Sequence, residues 1–276
     1  WGKISVGPPY FNSFFIPLMF CVLLLLPVGV QLQWHDKHTF RELFFLWMKK
    51  PTIAALLFAP LLVLALALPF SALALLAAWL GLWVVISTLM DIRHKLRNAR
   101  TPLQGLRALR ASYWGMCLAH IGLAVTVMGV AFTSLASEQQ DIRLAPGESA
   151  TLSGYHFSFE SVEANDGPNY TSRHAVFRVL APNAELHLMQ PEKRTYLASN
   201  KVMTEAAIWP GFTRDIYISM GEALQPELGN ASPWSLRLHV KPAVRWIWLG
   251  AILVALGAVL AVLDKRYRNV HAHERI

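Results

Sequence analysis

Five apolar runs, each close to the roughly 20 residues that cross a bilayer's hydrocarbon core, constrain this chain more than any other feature. They extend from about Phe14 to Gln33, Ile53 to Leu68, Ala72 to Met90, Tyr113 to Leu135 and Val244 to Leu263. Of the 276 residues, 54% are hydrophobic and only 15% charged, a balance that excludes an ordinary soluble domain. Each run is therefore predicted to be a transmembrane helix. The break at Pro69-Phe70-Ser71 makes the second and third an antiparallel pair. The chain starts with Trp1, has no basic stretch before its first apolar run and enters that run after Gly7-Pro8-Pro9, so it is expected to be the C-terminal part of a longer protein rather than to open with a signal peptide.

The formal net charge of +8 raises the question of nucleic acid, but the cations are placed for a membrane. They gather in three segments: Lys37, Arg41, Lys49 and Lys50; then Arg93, Lys95, Arg97, Arg100, Arg107 and Arg110; then Lys265, Arg266, Arg268 and Arg275. Each segment adjoins an apolar run, and cytoplasmic loops are the ones that carry such an excess. With all three on the cytoplasmic side, the N-terminal loop, the Pro69 turn and the long segment after Leu135 face the opposite side. Trp34 followed by His35-Asp36-Lys37 reads as the interfacial end of the first span.

Residues 136–241 differ in kind. Their acidic residues outnumber their cations, and apolar residues recur every second position. Tyr155, Phe157 and Phe159 alternate with His156, Ser158 and Glu160; Ile216 and Ile218 with Asp215, Tyr217 and Ser219; Leu236, Leu238 and Val240 with Arg237, His239 and Lys241. Turn signals at Pro146-Gly147, Asn165-Asp166-Gly167-Pro168, Pro182-Asn183, Pro210-Gly211 and Leu228-Gly229-Asn230 separate these short strands, which predicts a small β-sandwich or β-barrel. The expected organisation is a polytopic α-helical membrane protein: residues 1–135 as four transmembrane helices with basic cytoplasmic loops, residues 136–241 as a periplasmic β-rich domain, and residues 242–276 as a final transmembrane helix with a basic cytoplasmic tail.

The fourth apolar run carries one imidazole, His120. An ionisable group in hydrocarbon costs a few kcal/mol on insertion scales, so its default reading is functional. On a helix, Gly115, Ala119, Gly122, Thr126 and Gly129 share a narrow face suited to close packing. His120 points roughly 140° away from it, flanked by Met116, Cys117, Leu123 and Ala124. In the last run Gly250, Val254, Gly257 and Ala261 repeat the small-residue spacing, which predicts antiparallel packing of these two helices through their glycine faces. Counted from the basic loop, His120 lies about 10 Å into the membrane. Three roles remain open from the residues alone: a haem ligand, a proton-relay or quinone-site residue, or a histidine hydrogen-bonded to a neighbouring helix.

Other constellations are weaker. His35 and His38, and likewise His271 and His273, sit among charges and read as solvated. His156, His174, His187 and His239 lack metal-ligand spacing, and the sequons at Asn169 and Asn230 are short patterns with a high chance rate. Cys21 and Cys117 lie in apolar runs, so neither a disulfide framework nor a CxxC motif is available.

Seven runs in order carry a family resemblance: Lys3-Ile-Ser-Val-Gly-Pro-Pro-Tyr-Phe-Asn12, Ala119-His120-Ile-Gly122, Gly167-Pro-Asn-Tyr170, Pro191-Glu-Lys-Arg194 with Tyr196, Met203-Thr-Glu-Ala206, Asp215-Ile-Tyr217 and Lys241-Pro-Ala-Val-Arg-Trp246-Ile-Trp248. Together they resemble the C-terminal part of CcmF, the haem lyase subunit of system I cytochrome c maturation. The resemblance implies an inner-membrane protein that takes haem from the chaperone CcmE and works with CcmH/CcmI-type thiol partners. It implies covalent attachment of that haem to the CxxCH motif of apocytochrome c. It further implies a permanent haem b supplied with electrons by quinol, with His120 as one axial ligand of the iron. The other haem b histidine, the histidines for the substrate haem and the tryptophan-rich segment of the family have no counterpart in this chain, and the catalytic residues are left unassigned. Membrane lipid is an expected partner and nucleic acid is not. The rival readings are a quinol-linked respiratory haem b subunit and a non-catalytic scaffold displaying a β-domain.

Overall fold

The computed structural model describes residues 7–31, 42, 44–97 and 101–264, which form two compact units, Trp1–Leu135 with Arg245–Ile276 and Ala136–Val244. In the first unit, helix α1 (Pro8–Gln31) is followed by a π-helical turn (Phe44–Met48) that runs into α2 (Lys49–Ala65). Helix α3 (Ala72–Leu96) begins at Ser71, whose Oγ accepts from the Ala74 amide at 3.2 Å. The basic loop contains a short helix, α4 (Pro102–Ala108), with Pro102 in its first turn and Thr101 Oγ1 accepting from Gln104 N at 3.3 Å. Helices α5 (Ala111–Ala136) and α6 (Val244–Val262) complete the unit.

Four of these, α1, α3, α5 and α6, are long and apolar enough to cross a membrane. The expectation was five. The remaining one falls on α2, whose 17 residues rise about 25 Å, less than the roughly 30 Å hydrocarbon core. It ends at Ala65 rather than Leu68 because the chain turns there: Ala67 takes φ 48°, its amide bonds to the Leu64 carbonyl, and the Leu68 amide bonds to that of Val63.

Helices α2 and α3 form a hairpin whose contact faces are built from small residues. Ala55, Ala59 and Val63 on α2, and Ala74, Ala78 and Gly81 on α3, are buried at helical spacing. One cluster, comprising Leu23, Met48, Ala55, Leu80, Trp83, Val84 and Ala124, ties α1, the π-turn, α2, α3 and α5 together. Trp83 Nε1 donates to the Leu24 carbonyl at 3.3 Å, which satisfies the indole inside it. Leu56, Leu57, Phe58, Leu61 and Leu64 of α2 point outward, as lipid-facing side chains do.

The second unit is an antiparallel β-sandwich, which decides between the two expected architectures. Its strands are β1 (Glu138–Leu144), β2 (Ser149–Leu152), β3 (Tyr155–Asp166), β4 (Tyr170–Leu180), β5 (Leu186–Met189), β6 (Glu192–Tyr196), β7 (Val202–Glu205), β8 (Ala207–Trp209), β9 (Arg214–Ala223) and β10 (Trp234–Pro242). One sheet has the order β1-β10-β9-β8 and the other β2-β3-β4-β6-β7, with β5 also paired to β4. Phe157, Phe159, Val162, Phe177 and Val179 from one sheet meet Ile216, Ile218, Met220, Leu236, Leu238 and Val240 from the other in a single core. Phe159 and Phe177 are cross-strand partners and stack at 4.7 Å. A register shift between Phe159 and Ser161 moves the inward phase, so Val162 rather than residue 161 points into the core.

The alternation expected for β3 and β10 is present, and the expected turns fall in connections, except that Asn165 and Asp166 end β3, paired with Ser172 and Thr171, so that turn tightens to Gly167-Pro168-Asn169. Asp215 departs from its expected outward place: it is 5% exposed, because its carboxylate accepts from the Gly211 amide at 2.9 Å and closes the β8–β9 turn. The turn between β2 and β3, Ser153-Gly154, had no signal among those singled out; both residues have positive φ (49° and 78°), the geometry of a two-residue hairpin.

Candidate functional site

Helix α5 is gripped on two sides. Against α6, a Cβ placed on Gly115 would stand 2.5 Å from the Gly257 carbonyl oxygen, and one on Gly122 would stand 2.7 Å from that of Gly250. One on Gly129 would stand 2.9 Å from the Ile247 amide nitrogen. The relation is reciprocal, with a Cβ on Gly257 lying 2.6 Å from the Gly115 carbonyl oxygen. As the numbers rise on α5 they fall on α6, so the helices pack antiparallel, backbone to backbone, through the glycine faces that their spacing predicts. Where α5 begins and α6 ends, Ser112 N donates to Asp264 Oδ2 at 2.9 Å, a carboxylate set at the positive end of a helix. Towards the other end, the Phe132 ring meets Trp246 edge-on at 6.1 Å.

On its other side α5 faces α3. Gly81 seats the side chain of Met128, and Ala124 is fully buried with Leu80, Trp83 and Val84. Cys117 and Ala124 sit one turn before and one turn after His120 on this stripe, at 2% and 0% exposure, so the imidazole projects from a rigid, apolar part of the helix. His120 is half-buried, and its Nδ1 is buried with no hydrogen-bond partner among the described residues. A buried polar nitrogen left unpaired costs about 1–3 kcal/mol, and the described residues supply no hydrogen bond to this one. A neutral nitrogen among apolar walls fits an axial ligand of haem iron.

One turn beyond Cys117 the stripe reaches Tyr113. Its hydroxyl donates to Asp91 Oδ2 at 2.6 Å, the Lys95 ammonium donates to the same oxygen at 2.6 Å, and Lys95 Nζ lies 4.2 Å from the Tyr113 ring centroid. Asp91 is 6% exposed. This cluster escaped the sequence reading, which ended the third span at Met90; the structure carries α3 on to Leu96. The spacing of Asp91 and Lys95 at i,i+4 was the available signal.

The histidines of the sandwich have neighbours of their own. His174 Nε2 lies 3.4 Å from Glu163 Oε2, His187 stacks on Trp209 at 4.7 Å, and His239 meets Tyr217 edge-on at 6.5 Å. Among the described residues no three His, Cys, Asp or Glu are grouped to hold a metal ion. His35, His38, His271, His273, Trp34, Lys37, Arg41, Arg100, Lys265, Arg266, Arg268 and Arg275 lie outside the described residues. In the sandwich, three runs separate in sequence meet on neighbouring strands. The Arg194 guanidinium lies 4.6 Å from the Tyr170 ring centroid and pairs with Glu192 at 2.7 Å and Glu205 at 3.8 Å. The hydrogen bond from Arg194 holds the Glu192 carboxyl below its ordinary range.

Apolar helices of membrane-spanning length, one of them presenting an unpartnered imidazole, and a β-sandwich inserted before the last helix define a polytopic membrane protein with an extramembrane β-domain. The profile described as CcmF C-terminal beta-sandwich matches residues 135–242. Over 270 residues and 97% of its length the chain is 43% identical to the cytochrome c-type biogenesis protein CcmF of Pseudomonas fluorescens, of which it covers 39%. It is 35% identical to the CcmF of Escherichia coli strain K12 over 275 residues, covering 97% of this chain and 39% of that protein. A solved structure titled cytochrome c heme lyase CcmF superposes with a TM-score of 0.74 at 21% identity, covering 94% of this chain and 41% of that one, a likeness of fold. The chain belongs to the CcmF family, as its C-terminal part. It spans about two fifths of the length of the relatives it matches.

Proposed function

We propose that this chain forms the C-terminal part of a cytochrome c haem lyase, with His120 as one axial ligand of a haem b in the membrane. The observation that carries the reading is the half-buried His120 ring, on a helix whose position is set by backbone contact with α6: Nδ1 is enclosed with no partner among the described residues, which leaves Nε2 as the nitrogen that would take the iron. When bound, a haem b supplies one-electron chemistry, and quinol is the electron source in this reading. The chain's own residues provide the rest. Cys117 and Ala124 give apolar walls above and below the imidazole, and the glycine contacts to α6 hold the helix against rotation. Asp91, Tyr113 and Lys95 close the same stripe with a neutralised carboxylate.

The substrate haem is joined to the thiols of an apocytochrome CxxCH motif. The two cysteines of this chain lie in helices α1 and α5, so thiol reduction falls to a CcmH/CcmI-type partner and haem delivery to CcmE. The described cations Lys49, Lys50, Arg93, Lys95, Arg97, Arg107 and Arg110 lie at the start of α2, the end of α3, in α4 and just before α5, regions that the Asp91–Tyr113 and Trp47–His94 contacts join at one end of the bundle. That end is assigned to the cytoplasm of a bacterial inner membrane, and residues 136–241 to the periplasm. The test is a reduced-minus-oxidised spectrum of the full-length protein. His120→Ala is expected to lose the b-type signal or shift its midpoint potential, and unchanged occupancy and potential would remove His120 as a ligand.

A further inference from the structure

At the cation-rich end of the α2–α3 hairpin lies a cavity of about 970 Å³, the upper range for a ligand site. The π-turn and the first turn of α2 contribute Trp47 and Lys50, and the last turns of α3 contribute Ser87, Arg93, His94 and Arg97. The Trp47 and His94 rings meet edge-on at 4.4 Å. Lys50, Arg93 and Arg97 are exposed at the mouth, and nothing in the described structure pairs with them. The one carboxylate in the wall, Asp91, is already engaged by Lys95 and Tyr113, so the mouth presents net positive charge.

Ser87 is the second, independent observation. It is 5% exposed, lines the cavity, and its Oγ has no partner among the described residues, whereas the neighbouring Thr88 hydroxyl donates back to the Val84 carbonyl at 2.8 Å. From Ser87 to Arg97 the helix rises about 15 Å. The cavity therefore reaches from the head-group layer, which adds roughly 5–8 Å on each side of the hydrocarbon, into the level of the upper acyl chains. A ligand that matches it is negatively charged at the mouth, polar with acceptors lower down and apolar beyond.

We propose that this cavity binds the head group and glycerol ester of an anionic phospholipid, with Lys50, Arg93 and Arg97 taking the phosphate and the Ser87 hydroxyl donating to an ester carbonyl. Basic pockets between membrane helices recognise anionic head groups through this chemistry. A free phosphate offers no group to Ser87, which lies well below the mouth. None of the residues assigned to the lipid lies on α5; only Asp91, in the cavity wall, is shared with the stripe that carries His120.

The test titrates the protein, purified from membranes in non-ionic detergent, with short-chain phosphatidylglycerol, short-chain phosphatidylcholine and inorganic phosphate, with binding read by native mass spectrometry. Phosphatidylglycerol is expected to be retained and phosphatidylcholine lost. Lys50→Gln and Arg97→Gln should each weaken phosphatidylglycerol roughly fivefold. Ser87→Ala should weaken it with helical content unchanged. Arg107→Gln, an exposed cation of the same basic segment outside the cavity, should leave binding as it is. Equal binding of the two lipids, displacement of phosphatidylglycerol by equimolar inorganic phosphate, or an equal loss in Arg107→Gln would each overturn the proposal.

Discussion

The two units of this chain solve the packing problem in opposite ways. In the sandwich the fully buried residues are large: Phe157, Phe159, Phe177, Ile216, Ile218, Leu236 and Leu238 are at most 2% exposed. In the helical unit the closest contacts are made by glycine and alanine, while many of its leucines, such as Leu57 and Leu256, face outward. The reason lies in the solvent. In water, burying a large apolar side chain is the main driving force, whereas in lipid the tails are as apolar as leucine and the gain comes from bringing backbones close.

That contrast predicts opposite sensitivities. The largest effect is expected for Phe177→Ala, which should destabilise the sandwich by about 3–5 kcal/mol in denaturant unfolding of residues 136–244, because it leaves a cavity opposite Phe159. In the helical unit the damaging change is the reverse one. Gly122→Leu and Gly257→Leu should each cost about 1–3 kcal/mol or more, read as a lowered unfolding midpoint in detergent, because a Cβ already collides with the backbone of the facing helix. Wild-type stability of both glycine variants would break the comparison. The outward Leu57→Ala should change stability by less than about 1 kcal/mol.

The smallest effect sharpens the contrast by adding ion pairs, which among the described residues fall mostly in the sandwich. Burial, with Lys241 and Arg237 nearby, pushes the His239 imidazole below its ordinary pKa of about 6.5. The unfolded chain then takes up a proton first. The stability present above about pH 6.5 therefore declines as pH falls towards the lowered folded value. Asp141 is held below the carboxylate range by the hydrogen bond from Arg237 Nε at 2.7 Å. Its contribution is present above about pH 4 and is lost as pH falls through its own lowered value. Thermal midpoints of the isolated sandwich should thus fall in two steps on acidification. His239→Gln should remove the step nearer neutrality and leave the acidic one.

Much of this was legible in the residues. The spacing of Gly115, Gly122 and Gly129 against Gly250 and Gly257 named a helix pair, because glycine at that period in an apolar run leaves few other uses for the space it opens. Period-two alternation placed Phe157, Phe159, Leu236 and Leu238 in a core before any sheet order was known. His120 stood out because an imidazole is costly in hydrocarbon. The sequence also marked the basic segments, since charge cannot enter the bilayer cheaply.

Tertiary structure decided what depends on long-range neighbours. Whether the strands close as a barrel or stack as a sandwich rests on the pairing of β1 with β10 and of β2 with β3, which no local pattern encodes. The burial of Asp215 rests on the Gly211 amide across a turn, and that of Asp91 on Tyr113 from another helix. That His120 Nδ1 and the Ser87 hydroxyl find no partner among the described residues is likewise a property of assembled surfaces. Sequence sets which side chains each solvent tolerates; only the folded chain decides which polar atoms find each other and which remain for a ligand.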